Sequence, residues 1–232
     1  MAKPVLPAPT PADIIEKLHG FAPVLVRGAL KAMTLHETWN GLNTDNAARK
    51  AIVVSPVTKV IGVMWEASLD SLILVLMRLL DSHGRGSVHD SDRVSFPVIR
   101  SLVDEPGVLE MLIGDAESKD GPGDREAKGQ AVLDAAFRLR QRLDTMADEE
   151  PNRLNRLRSV RDRFLAHQLH METPLDPPIF GNLRTMVEDV LLLAEDTKRM
   201  LNPTVIVWPR GEVTAQMIRL IDTVAQRFPI HR

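Results

Sequence analysis

The 232-residue chain has no cysteine and no tyrosine, and its aromatic residues are limited to six Phe and three Trp. Without thiols there is no disulfide framework, no thiolate zinc site and no cysteine nucleophile. So few aromatics leave little material for the stacking platforms on which single-stranded nucleic acid is held. An excess of one charge is missing too: 29 basic residues stand against 31 acidic ones, a net −2, so no global basic field attracts nucleic acid. Long apolar runs are also scarce. The most apolar, Leu69 to Leu80, contains Asp70 and Arg78 and falls short of the roughly 20 residues that a membrane span requires. The first eleven residues hold one lysine and four prolines, without the apolar core of a signal peptide. These absences predict a soluble, cytoplasmic protein with no membrane partner.

What is present is ordinary globular material, 44% hydrophobic and 26% charged, which excludes wholesale disorder. The apolar residues recur at helical spacing almost throughout. Thr10-Pro11-Ala12-Asp13 has the form of a helix start, with Thr10 as N-cap, and the stripe begun by Ile14, Ile15 and Leu18 is interrupted at Gly20 and Pro23. A second helix is predicted from Pro23 to Trp39, with Leu25, Ala29, Ala32, Met33 and His36 near one side, then a turn at Gly41 to Asp45. Ser55-Pro56 opens a third helix running to about Asp81, with Val60, Val63, Met64, Ala67, Leu74 and Met77 providing the 3–4 spacing. Its Leu72 to Leu76 stretch is apolar all round, the mark of a central helix.

Further helices are predicted over 97–112, with a break at Pro106, over 125–148, 151–171 and 179–200, and from Gly211 to Phe228. The expected inward residues are Val132, Ala135, Ala136, Leu139 and Leu143 in the first of the long pair, and Leu183, Met186, Val187, Val190, Leu191 and Ala194 in the second. The fold class is therefore all-α, a helical bundle, expected as a single domain over residues 1–232.

Familiar chemical signatures are lacking. No strand–glycine–helix dinucleotide motif, Walker lysine motif or Gly-x-Ser-x-Gly elbow occurs. Asp115 to Gly121 breaks the ligand order of a calcium loop at Lys119. Asp81, His83, His89, Asp90 and Asp92 crowd one loop, but no spacing among them fixes a coordination geometry, so no metal and no cofactor is predicted.

The most informative stretch is Arg153 to His170. Five arginines against one acid give it +4, whereas Asp104 to Glu126 has eight acids against Lys119 and Arg125, or −6. A basic face for a phosphate backbone is expected on this segment. Within it Arg161-Asp162-Arg163-Phe164-Leu165-Ala166-His167 resembles the Arg-x(4–6)-His motif of the HEPN superfamily, all-helical proteins that include many prokaryotic ribonucleases. Two other Arg–His pairs have a similar spacing, Arg78 with His83 and Arg163 with His170, but only Arg161 has the polar follower that the motif favours. The form Arg-Asp-x-x-x-Ala-His, with the earlier helix ending Arg-Leu-Leu-Asp, is similar to the branch named after the abortive-infection protein AbiU. The resemblance spans a HEPN-like core of about residues 55–200, with 1–50 and 203–232 as additions.

The resemblance implies a metal-independent endoribonuclease, acting in phage defence or as a toxin and leaving a 2′,3′-cyclic phosphate. His167 would be general base or acid, Arg161 the phosphate stabiliser and Asp162 an orienting residue, with Arg158, Arg163 and His170 contacting substrate. The chemistry suits these residue types: histidine titrates near neutrality, and arginine forks onto phosphate oxygens. On an ideal helix six residues turn the chain by a net of about 240°, so Arg161 and His167 do not share a face. A homodimer with a composite site, the usual HEPN arrangement, would bring two of each together. RNA is the expected substrate and an antitoxin protein a candidate partner. The alternative is a non-catalytic HEPN module that uses the same helix for dimerisation or for binding a partner or nucleotide.

Overall fold

The computed structural model describes residues 9–43, 58–82, 88–90, 92–119, 124–148 and 180–202, with four further positions, Ala215, Gln216, Arg219 and Thr223. Six α-helices and no strand occur among the described residues. They are α1 (Pro11–Asn43), α2 (Thr58–Leu80), α3 (Phe96–Val103), α4 (Val108–Ser118), α5 (Arg125–Asp148) and α6 (Phe180–Leu201), with a 3₁₀ turn at Val88–Asp90. The all-α class holds. The four isolated positions are helical as well, in the stretch where the last helix is expected. The helix expected over 151–171 lies outside the described residues.

The chain divides into two compact units. One comprises Met1–Arg27, Arg78–Glu150 and Leu192–Ile206; the other comprises Gly28–Met77, Pro151–Leu191 and Val207–Arg232.

In the first unit α1 starts as its sequence dictates. Thr10 donates its N–H (2.8 Å) and its hydroxyl (2.6 Å) to the Asp13 carboxylate, while the Asp13 N–H donates to Thr10 Oγ1 at 3.3 Å. This reciprocal cap satisfies donors that the first turn cannot pair internally. The helix then runs unbroken through Gly20 and Pro23, against the expectation of two helices. Both residues are exposed, so the carbonyl of His19 that Pro23 cannot satisfy faces water. Meanwhile Ile14, Ile15, Leu18, Ala22, Leu25, Ala29, Ala32 and Met33 are all buried. Their uninterrupted 3–4 spacing outweighs one proline and one glycine.

The expected break at Pro106 is real and wider than foreseen. The backbone leaves α3 at Asp104 and re-enters helix through Gly107, whose φ of +81° is the left-handed conformation that side chains resist. A Cβ there would also stand 3.4 Å from Pro11 Cγ. The new helix, α4, continues to Ser118 rather than stopping at Leu112. Its main packing partner is α5, while α3 lies against α5, α4 and the 3₁₀ turn. The close approach of α4 and α5 is at Gly129, where a Cβ would lie 3.1 Å from Ile113 Cγ2. The predicted inner residues of α5, Val132, Ala135, Ala136, Leu139 and Leu143, are buried, as is Ala194 of α6.

In the second unit α6 buries Leu183, Met186, Val187, Val190 and Leu191 as expected. In α2 the residues that carry the 3–4 spacing are mostly not the covered ones. Val60, Val63 and Leu74 are 59%, 65% and 48% exposed, and Ala67 is exposed, whereas Ser68, Leu72, Ile73, Leu76 and Met77 are buried. A helix rich in apolar residues all round does not reveal which side its neighbours cover. The 23 residues of α2 also have the length and composition to cross a membrane, which the Leu69–Leu80 run considered alone did not suggest. Glu66 and Asp70 are exposed near its middle.

Candidate functional site

The residues to which the sequence assigns chemistry, Arg158, Arg161, Asp162, Arg163, His167 and His170, lie outside the described residues. Among the described residues the second unit holds a polar cluster that sequence reasoning missed. The stripe of α1 continues from Met33 to Glu37, and this acidic residue is 8% exposed. An acid four residues beyond a buried methionine, on the face that carries the core, is the signal that could have flagged it.

His36 precedes it, with its ring centroid 6.0 Å from that of Trp39. Trp39 in turn lies 6.3 Å from Trp65 of α2. The indole Nε1 atoms of both tryptophans are shielded from solvent. From α6, Arg184 and Glu188 face the same region, joined to each other at 3.1 Å across one helical turn. Burial pushes the His36 imidazole below its ordinary value, and the positive charge of Arg184 pushes it further. Glu37 and Glu188 partly oppose that shift. His36 is thus held in its neutral form near pH 7, in which one ring nitrogen donates and the other accepts.

The first unit holds its charges differently. Asp196 of α6 is buried, its side chain 6% exposed, and receives Arg138 Nε at 2.8 Å and Arg142 Nε at 3.3 Å. These arginines are one turn apart on α5, so a single carboxylate takes both. Asp104 accepts from Arg140 Nε at 2.6 Å and is ion-paired with Arg100, whose Nε is 3.6 Å away, and Arg100 also pairs with Asp144. At the corner before α3, Arg93 donates to Asp81 at 3.3 Å and to the Ser82 carbonyl at 2.9 Å. His89 lies 3.2 Å from Glu105 while its carbonyl accepts from Lys17 Nζ at 2.7 Å. The crowded loop residues Asp81 and His89 are therefore engaged with Arg93 and Glu105, and His83 lies outside the described residues. Among the described residues no three of His, Asp and Glu converge to hold a metal ion.

With that framework in place, the family profile of HEPN_AbiU2, described as AbiU2, matches residues 14–212. The chain belongs to the AbiU2 family of HEPN proteins. Comparison with curated proteins and with solved structures gives no significant match. The AbiU2 match begins inside α1 and ends beyond α6, so it takes in an N-terminal helix that the motif resemblance did not reach. It spans the whole Arg161–His167 motif and the His36, Glu37, Arg184 and Glu188 cluster. This is an abortive-infection-type HEPN chain.

Proposed function

We propose that the chain is a metal-independent endoribonuclease of the HEPN type, acting in phage defence or as a toxin from the cytoplasm. The observation that carries this reading is the Arg161-Asp162-x-x-x-x-His167 motif lying within residues that match the AbiU2 family. His167 takes the proton from a ribose 2′-OH, or returns one to the leaving 5′-oxygen. Arg161 stabilises the charge that grows on the phosphorane oxygens. The nucleophile belongs to the RNA, so a chain without cysteine or tyrosine loses nothing by it. Asp162 orients the pair, and Arg158, Arg163 and His170 hold the flanking phosphates. Because Arg161 and His167 are about 240° apart on an ideal helix, the working site is built from two copies of the motif across a homodimer. An antitoxin protein that blocks this site is the regulatory partner.

The test is cleavage of total RNA by the purified chain, wild type beside His167→Ala and Arg161→Ala, with a chelator present. Wild type should leave 2′,3′-cyclic phosphate ends, and His167→Ala should lower the rate by about 100-fold or more. Cleavage that ignores the His167 substitution, or no cleavage of RNA by wild type, would replace this reading with a non-catalytic HEPN module.

A further inference from the structure

We draw no further inference here: the strongest candidate, the exposed apolar pair Leu133 and Phe137 one turn apart on α5, carries none, because nothing in the structure shows what covers it.

Discussion

Among the described residues the first unit links separate helices by ion pairs, with local i,i+4 pairs besides, whereas the pair described in the second is local to one turn. In the first, arginines of α3 and α5 reach acids on a different element: Arg138 and Arg142 share Asp196, Arg140 takes Asp104, and Arg100 reaches Asp144. In the second, the described ion pair Arg184–Glu188 is local to one helix turn, and Glu66 and Asp70 stand exposed on α2. Exposed pairs contribute little on their own, but a buried carboxylate taken by two guanidiniums is strongly coupled to its surroundings. The described ion pairs of the first unit thus tie separate helices to one another.

The sharpest way to break this contrast is to strip Asp196 of its partners. Arg138→Ala combined with Arg142→Ala leaves a buried charge without compensation and should cost about 3–5 kcal/mol, read as a lower urea midpoint. A loss below about 0.5 kcal/mol would place the pair with ordinary surface bridges. A smaller effect is expected at the α3–α4 corner. Gly107→Ala forces a side chain into the left-handed region and should lower stability by about 1–2 kcal/mol, measured by thermal unfolding. An unchanged melting temperature would mean that the corner relaxes freely.

The smallest effect belongs to the second unit and is a matter of pH. Burial lowers the folded-state value of His36, so the unfolded chain takes up that proton first as the solution is acidified. The stabilising contribution is therefore complete above about pH 6.5 and is lost as the pH falls below it. His36→Gln should remove this dependence, flattening the urea midpoint between about pH 7 and pH 5 relative to wild type. Identical profiles would show that the imidazole is as well solvated in the folded chain as in the unfolded one.

Legibility in the sequence followed the amount of competing information at each place. The bounds and inner residues of α5 were readable because Gly121-Pro122-Gly123 and Pro151 bracket one unambiguous stripe from Val132 to Leu143. The single run of α1 was not, because Pro23 and Gly20 carry a local signal that solvent exposure neutralises and long-range burial overrides. The covered side of α2 was unreadable in principle. Val60, Val63 and Leu74 are as apolar as Leu72, Ile73 and Leu76, and only neighbours from elsewhere in the chain decide between them. The motif Arg161–His167 was legible as a pattern of residue types, and it led to the right family. The polar cluster of His36, Glu37, Arg184 and Glu188 was not, since its members are nearly 150 positions apart on α1 and α6.

The double engagement of Asp196 has a consequence for assembly as well as for stability. A carboxylate read simultaneously by residues i and i+4 of α5 accepts one rotational setting of that helix. Sliding α5 by a single residue would swing both guanidiniums by about 100°, replacing them with Leu139 and Leu143 or with exposed neighbours. An apolar stripe of alanines, valines and leucines tolerates such a slip with little complaint, because one small aliphatic surface resembles another. The buried charge does not. It works as a checksum on helix alignment, rejecting near-native arrangements that hydrophobic packing alone would let pass.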